Sequence, residues 1–363
     1  MPALALSRRL KKYRALMDTG ELRDALERFI RRESGRSLRV EHLAPLAGGA
    51  SREMFGFELR ETDDDTPMQM VLRLDPPPGR MQSDRGEEFR LLQLTHDSGV
   101  TVPRVHWLGE LSDGLGARFF VMDRVGGEAI ARRLLRDEHY EVTRRALPGD
   151  LARELGRIHA VNLSDPRLAT LRERAPGGDD PRRFARFEID RYRNLLDLAD
   201  QGWPRPALSF GERWLRRNAP AASRIGLVHG DFRIGNVMFD ERGLTAVIDW
   251  ELSHIGDPLE DIGWMTVRAW RFGEDDRPVG GLCSREKLWD LYGRATGVDV
   301  DVNAALWWEI FGNWKWAVIC VLQAASHKAG RVLNVELASL GRRTAEVEWE
   351  LIARIEDYDA RST

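Results

Sequence analysis

The sequence predicts an α+β protein with two lobes, a small β-rich N-terminal lobe and a larger, mainly helical C-terminal lobe. Between residues 41 and 124, short apolar runs alternate with turn residues, a pattern typical of strands. From residue 125 onward, apolar residues recur at helical spacing over long stretches. We therefore expect an N-terminal helical segment at 1–40, a first lobe at 41–124 and a second lobe at 125–363.

The first part of the chain is predicted to contain two helices and several strands. Residues 21–33 place Leu22, Leu26 and Phe29 on one face of an amphipathic helix. A second helix is expected at 87–99, where Gly99 closes it. The strands are expected at 54–59, 68–74, 103–109 and 118–122, and three prolines at 76–78 stop the second of them.

The second lobe is predicted to be helical except around one short β-rich stretch. Two apolar strands are expected there, at 226–229 and 244–248. Residues 172–183 are rich in glycine, proline and charge, which predicts a loop. The helices are expected at 150–161, 181–200, 207–218, 285–296, 303–327 and 333–358.

The composition excludes several classes of protein. The chain has 55 basic and 58 acidic residues and a net charge of −3, which argues against general affinity for nucleic acid or anionic membranes. Its two cysteines, Cys283 and Cys320, form neither a disulfide framework nor a CxxC zinc motif. The N-terminus lacks the order of a signal peptide, and no apolar run approaches the roughly 20 residues of a membrane span. We expect a cytoplasmic protein with no nucleic-acid or membrane partner.

The most informative motif is HGDFRIGNVMFD at 229–240. Asp231 follows a short apolar strand, and a carboxylate there can accept the proton of an acceptor hydroxyl or hold that hydroxyl in line. Asn236 comes five residues later, and Gly235 relaxes the backbone so that the loop can turn back towards Asp231.

A second carboxylate follows in AVIDWE at 246–251. Asp249 ends the strand after the motif, so that a hairpin would present Asp231 and Asp249 on one edge. Oxygen ligands from Asp249 and Asn236 suit Mg²⁺, a hard cation. A positioned hydroxyl and metal ions on nucleotide phosphates are what phosphoryl transfer requires.

These motifs resemble the aminoglycoside phosphotransferase and choline kinase superfamily, which is related to the protein kinases. The resemblance implies a two-lobed protein-kinase-like fold, ATP as phosphate donor and Mg²⁺ as metal. It makes Asp231 the catalytic residue and Asn236 and Asp249 the metal ligands. The form with Arg233, followed by IDWELSHIGDPLEDIGW, is especially similar to the kinase-like domain attached to some acyl-CoA dehydrogenases.

The same resemblance gives the first lobe a role in nucleotide binding. AGGASREMFGFEL is similar to the hairpin that covers the nucleotide, where backbone donors or Ser51 would contact phosphate; a plain tight turn is the alternative. Arg73 stands where the protein-kinase pattern has its β3 lysine and would pair the α- and β-phosphates. Glu88 on the following helix would pair with Arg73, and Glu87 remains a rival because the register is open.

FVMDR at 120–124 resembles the hinge between the lobes, where backbone groups near Met122 and Arg124 would bind adenine. His229 is interpreted as organising the catalytic loop through hydrogen bonds, and Asp261 as holding that loop. Asp257 precedes a proline and is interpreted as a cap.

The expected substrate is a small molecule with a hydroxyl group. A hydroxyacyl-CoA or a hydroxy acid is favoured, on the strength of the acyl-CoA dehydrogenase resemblance. The alternatives are an aminoglycoside or macrolide antibiotic, or no reaction at all in a nucleotide-binding pseudokinase scaffold. The region that would line the substrate is rich in tryptophan, either as core or as an amphipathic wall: Trp264, Trp270, Trp307, Trp308, Trp314 and Trp316.

Overall fold

A computed structural model describes residues 19–46, 53–62, 65–75, 85–200, 204–330 and 335–361. These residues form two compact units that divide between Gly126 and Gly127. The first is mainly a β-sheet and the second mainly helical, which confirms the predicted α+β fold with two lobes. Among the described residues, no helix has the length and apolarity needed to cross a membrane.

The first unit is built on a five-stranded antiparallel sheet with the order β1-β2-β3-β5-β4. Its strands are β1 (Arg39–Pro45), β2 (Glu53–Arg60), β3 (Met68–Leu74), β4 (Val105–Gly109) and β5 (Phe119–Asp123). Its helices are α1 (Thr19–Ser34) and α2 (Arg85–Asp97).

Helix α1 shares a hydrophobic core with the sheet of this unit. Its apolar face buries Leu26, Phe29 and Ile30 against Leu72 and Phe119. The rings of Phe29 and Phe119 meet edge to face, with centroids 4.7 Å apart. Each such large apolar side chain contributes roughly 1.5–3 kcal/mol when it is fully buried. The amphipathic pattern at 21–33 therefore reflects packing on the sheet.

The second unit contains nine described helices and two small antiparallel ribbons. Strand β6 (Gly226–Val228) pairs with β9 (His254–Gly256), and β7 (Val237–Phe239) pairs with β8 (Leu244–Val247). The helices are α3 (Ala131–Arg136), α4 (Glu141–His159), α5 (Ala169–Arg174), α6 (Arg183–Asp200), α7 (Pro206–Arg217), α8 (Leu259–Met265), α9 (Arg285–Thr296), α10 (Val302–Lys328) and α11 (Val335–Arg361).

Helix α10 forms the centre of the second unit and is buried on most sides between Ala304 and Val321. Two of its indole N–H groups donate to backbone oxygens within the core: Trp307 donates to Leu215 O at 3.2 Å and Trp314 donates to Leu208 O at 3.0 Å. Helix α8 packs against α10 at Gly263, where a Cβ atom would lie 2.4 Å from the Trp308 carbonyl carbon. Only glycine allows these two helices to come so close.

Most elements lie where the sequence predicts them, and three helices differ from the prediction. Helix α4 begins at Glu141, nine residues before the predicted start, and continues through Pro148. Helix α5 extends to Arg174, into the predicted loop. Helix α8 was not predicted, because all seven of its residues are buried and it therefore lacks an amphipathic pattern.

Candidate active site

The backbone after strand β6 is fixed by a buried carboxylate. Asp261 on α8 accepts hydrogen bonds from the N–H groups of His229, at 2.8 Å, and Gly230, at 2.9 Å. Gly230 has a φ of 78°, and a Cβ atom there would lie 2.5 Å from Leu252 O. The loop therefore requires glycine at this position, and the predicted role of Asp261 agrees with its contacts.

His229 is held as a neutral ring. Its Nε2 donates to Ile248 O at 3.1 Å, and its Nδ1 accepts the N–H of Asp231 at 3.2 Å. A nitrogen that accepts a hydrogen bond carries no proton, and complete burial lowers the pKa of the imidazole. His229 thus orders the loop from within and is not placed to carry protons.

The carboxylate of Asp231 is oriented by three donors. Its Oδ1 accepts from Trp264 Nε1 at 2.7 Å and from Arg233 Nε at 3.1 Å. Its Oδ2 accepts from Asn236 Nδ2 at 2.5 Å. The side chain remains 16% exposed, so it is restrained and still within reach of a ligand.

Asn236 and Asp249 are brought together by the β7–β8 hairpin. Val237 pairs with Val247, and Ile248 N donates to Asn236 O at 2.9 Å, one residue before Asp249. Both hydrogen bonds of the Asn236 side chain use its Nδ2, on Asp231 O and Oδ2, so that Oδ1 is the side-chain atom that could accept a metal ion. Asp249 has a φ of 70°, a strained value for a residue with a side chain. An amide oxygen and a carboxylate are a donor set that fits Mg²⁺.

Arg233 was noted in the sequence only as part of the motif, and the structure places its guanidinium between Asp231 and Trp270. Its guanidinium carbon lies 4.4 Å from the centroid of the Trp270 ring, a cation–π contact. A Cβ atom on Gly235 would lie 2.3 Å from Arg233 Nη1. Gly235 therefore makes room for the arginine side chain, and because its φ lies outside the left-handed region, the expected need for glycine in the turn itself is not met.

Lys315 on α10 is a second residue that sequence reasoning missed. Its side chain is 1% exposed, and its Nζ donates to Gly230 O at 2.8 Å and pairs with Glu260 Oε1 at 3.1 Å. The same ammonium lies 4.5 Å from the centroid of the Trp264 ring. A lysine inside the apolar run WKWAVICVL was the available signal, because buried lysines are rare unless paired.

Behind Lys315, the charges continue through Glu260 and His254. Burial alone would lower the pKa of His254, but Glu188 and Glu260 raise it to about 9. Both ring nitrogens face acceptors, Leu252 O at 2.9 Å and Glu260 Oε2 at 3.1 Å, as a protonated imidazole requires. Burial would raise the pKa of Glu260, yet the charges of Lys315 and His254 lower it to about 2. This cluster is an ion-pair network.

In the first unit, the structure pairs Arg73 with Glu88, at 2.7 Å between Nη2 and Oε1, and both side chains are buried. This geometry settles the register that left Glu87 as a rival. Arg85, which was not singled out from the sequence, pairs with the other Glu88 oxygen and with Asp75 Oδ1 at 2.7 Å. The glutamate is thus clamped between two guanidinium groups.

Two other predicted nucleotide contacts, Met122 and Arg124, lie in strand β5 and just after it. Met122 is buried in β5 and pairs with Val71 on one side and Val105 on the other. The N–H of Arg124 donates to Gln69 O at 2.9 Å, so that this donor is engaged by the protein. Ser51 lies outside the described residues.

Comparison with known proteins identifies the family. The pattern of the phosphotransferase enzyme family matches residues 42–297. The chain is 30% identical over 352 residues to acyl-CoA dehydrogenase family member 10 of Mus musculus, an alignment that covers 91% of this chain and 31% of that relative. The chain therefore spans about a third of that relative's length. These matches confirm the predicted resemblance.

Solved structures with low sequence identity share the fold. A protein of Ralstonia eutropha JMP134 assigned to the aminoglycoside phosphotransferases has a TM-score of 0.70 and 22% identity, with 90% of this chain and 97% of that chain covered. Choline kinase from Cryptosporidium parvum Iowa II has a TM-score of 0.62 and 9% identity, with 93% and 97% covered. The two-lobed kinase-like fold is confirmed by these likenesses.

Proposed function

The chain belongs to the phosphotransferase enzyme family, and we propose that it transfers the γ-phosphate of ATP to a hydroxyl group of a small molecule with the help of Mg²⁺. The observation that carries this proposal is the Asp231 carboxylate, oriented by Trp264, Arg233 and Asn236 and still partly exposed. Such a group can act on an acceptor without first having to be ordered.

In the proposed reaction, Asp231 holds the acceptor hydroxyl in line and accepts its proton as the oxygen forms a bond to the γ-phosphorus. The bond from that phosphorus to the bridging oxygen breaks, and ADP leaves with the electron pair. Asn236 Oδ1 and the Asp249 carboxylate would hold Mg²⁺, whose chemistry is to neutralise charge on the phosphate oxygens. His229 stays neutral throughout and keeps the loop in shape.

For the first unit, we propose a part in nucleotide binding. Arg73, fixed by Glu88, would offer its planar guanidinium to the α- and β-phosphates. Backbone groups near Met122 and Arg124 would contact adenine, apart from the Arg124 N–H, which already donates to Gln69 O. Ser51 would contact phosphate.

A hydroxyacyl-CoA or a hydroxy acid remains the favoured acceptor. The support is the similarity to acyl-CoA dehydrogenase family member 10. The tryptophans nearest Asp231 add little to this choice, because Trp264 and Trp270 are 2% and 7% exposed and pack as core, with the Trp264–Trp270 and Trp270–Trp316 ring centroids 5.3 Å and 4.8 Å apart. Trp307, Trp308 and Trp314 bond within the core and do not contribute.

An antibiotic acceptor is less favoured. Aminoglycosides are polycations, and the acidic loop at 274–276 offers little to them because Asp275 already pairs with Arg268 at 3.0 Å. A pseudokinase scaffold is disfavoured by the retained Asp231, Asn236 and Asp249.

The proposal is tested by measuring ATP consumption across a panel of hydroxyl compounds that includes hydroxyacyl-CoA thioesters, hydroxy acids and aminoglycosides. Asp231→Asn should lower turnover at least about 100-fold, because the proton acceptor is lost, while nucleotide affinity changes little. A variant that keeps the wild-type rate would show that Asp231 is not the catalytic residue. ATP binding without consumption of any compound would favour the scaffold.

A further inference from the structure

Lys315 is a buried cation that contacts Gly230 and Trp264, two residues that adjoin Asp231. Its ammonium donates to Gly230 O at 2.8 Å and lies 4.5 Å from the centre of the Trp264 ring. It also lies 5.2 Å from the ring centre of Tyr192, so that aromatic faces cover two of its sides. The proposed reaction assigns no role to this residue.

The hydrogen bond to Gly230 O acts directly on the position of Asp231. A peptide group is planar and rigid, and the Gly230 carbonyl and the Asp231 N–H belong to the same group. Lys315 binds the oxygen of this peptide group, and His229 Nδ1 accepts its N–H at 3.2 Å. The peptide group that precedes Asp231 Cα is therefore held at both its oxygen and its N–H.

The contact with Trp264 acts on the side chain of Asp231. Trp264 donates its indole N–H to Asp231 Oδ1 at 2.7 Å, while the face of the same ring meets the Lys315 ammonium. A cation over an indole ring is attracted by the ring's negative face. Backbone and carboxylate of Asp231 are thus restrained by one ammonium, through two different neighbours.

The surrounding charges keep this lysine protonated. Glu260 Oε1 pairs with Lys315 at 3.1 Å, and Glu260 Oε2 is held by His254 at 3.1 Å. A buried ammonium without such a partner would lose its proton instead. The ion pair lies behind the loop. A water molecule or a neutral side chain in place of Lys315 would hold the Gly230 carbonyl less firmly.

From these contacts, and on the basis of the proposed phosphoryl transfer, we infer that Lys315 is a positioning residue that sets the orientation of Asp231 towards the acceptor hydroxyl. It acts through Gly230 and Trp264 and touches no reacting atom. Its loss should therefore slow turnover at each folded site without weakening the binding of ATP.

The experiment compares Lys315→Met with Lys315→Arg, which keeps the charge, and with Lys328→Met, an exposed lysine at the end of the same helix. Turnover is measured with MgATP and the best hydroxyl acceptor, or with water as acceptor, and is divided by the number of sites that bind MgADP in a calorimetric titration. This division removes the effect of unfolded protein. We expect kcat per site to fall about 100-fold for Lys315→Met, since small misplacements of a catalytic group cost about that much.

Three further results accompany that expectation. KM for ATP should stay within about threefold, Lys315→Arg should keep more turnover than Lys315→Met, and Lys328→Met should behave as wild type. A Lys315→Met variant with wild-type kcat per site would overturn the inference. Should that variant not fold, Glu260→Gln replaces it, with kcat per site expected about tenfold lower; an unchanged kcat would then count against the role.

Asp231→Asn is measured in parallel to separate the two proposals. If the wild-type protein consumes no ATP with any acceptor, the proposed function fails. If Asp231→Asn keeps full turnover, the catalytic role of Asp231 fails, and the positioning role of Lys315 fails with it. If Asp231→Asn loses turnover and Lys315→Met keeps it, only the positioning role fails.

Discussion

The residues of the candidate site divide into those that we propose to contact a ligand and those that hold other residues in place. Asp231, Asn236 and Asp249 belong to the first group. His229 and Asp261 belong to the second group, since their hydrogen bonds are made to the backbone of the loop and its neighbouring strand. This division explains why a neutral, buried histidine lies between strand β6 and Asp231.

A prediction at this scale concerns the metal. Asp249→Asn removes one negative charge from the proposed Mg²⁺ site and should weaken binding of MgATP at least about tenfold. Asp240→Asn on the same hairpin is the matched control, because Asp240 Oδ1 only accepts the N–H groups of Arg242 and Gly243 in the turn. Titration with ATP at several Mg²⁺ concentrations measures the effect. Equal affinities of the two variants for MgATP would show that Asp249 does not bind the metal.

Sequence reasoning reached the residues that lie close together along the chain. Asp231, Asn236 and Asp249 fall within 19 residues, so that one strand, one loop and one hairpin were enough to bring them together. Arg85 and Lys315 could not be found in this way. Lys315 is 85 residues from Gly230, and its partner depends on how α10 packs. The choice between Glu87 and Glu88 likewise depends on the rotation of α2, which no local pattern determines.

At the scale of the element, the short helix α8 supplies three residues that contact the candidate site. Its seven residues include Asp261, which binds the loop backbone, and Trp264, which binds Asp231. They also include Glu260, which pairs with Lys315 of α10. The position of α8 on α10 therefore sets several contacts of the site at once.

This arrangement predicts an unusual effect of a small substitution. Gly263→Ala would place a Cβ atom 2.4 Å from the Trp308 carbonyl carbon and 2.6 Å from Glu309 N, which are backbone atoms that cannot turn away. We expect a loss of about 1–3 kcal/mol of stability together with reduced turnover, because α8 must shift. Gly293→Ala in α9 is the control, since its nearest neighbour is Val298 O at 3.5 Å.

The control should be neutral or more stable by up to about 1 kcal/mol, as expected for alanine in place of glycine within a helix. Urea unfolding followed by circular dichroism, and turnover of the folded variants, give the comparison. A Gly263→Ala variant as stable and active as wild type would show that α8 and α10 can separate at no cost.

At the scale of the whole molecule, stability should depend on pH through the network of Lys315, Glu260 and His254. His254 has its pKa raised from 6.5 to about 9 in the folded chain. Its contribution to stability is therefore complete below pH 6.5, falls as the pH rises and is lost above about 9. The difference between these pKa values corresponds to roughly 3 kcal/mol.

His254→Gln should accordingly be less stable than wild type at pH 6, and the gap should close as the pH approaches 9.5. The difference between the two proteins isolates this histidine from all other titrating groups. His139→Gln, at an exposed position of the second unit, is the control and should show no such trend. Urea unfolding at a series of pH values measures the gap. A gap that stays constant with pH would mean that His254 is not charged in the folded chain.

The long elements of the fold were more predictable from the sequence than the short buried elements that pack between them. Long helices such as α9, α10 and α11 were located within three residues at each end, because length and periodicity define them. Strand β9 has only three residues and was missed, although it pairs with the strand that leads into the loop of Asp231. Short buried elements carry little pattern of their own and form only because their neighbours provide partners.

The contacts of Trp264 have an optical consequence. An indole that donates its N–H to a carboxylate and faces an ammonium over its ring experiences a strong electric field across its chromophore. Any ligand that draws Asp231 away from the indole would alter that field and shift the wavelength at which Trp264 absorbs and emits. The protein thus contains a spectral reporter one hydrogen bond away from its candidate catalytic group.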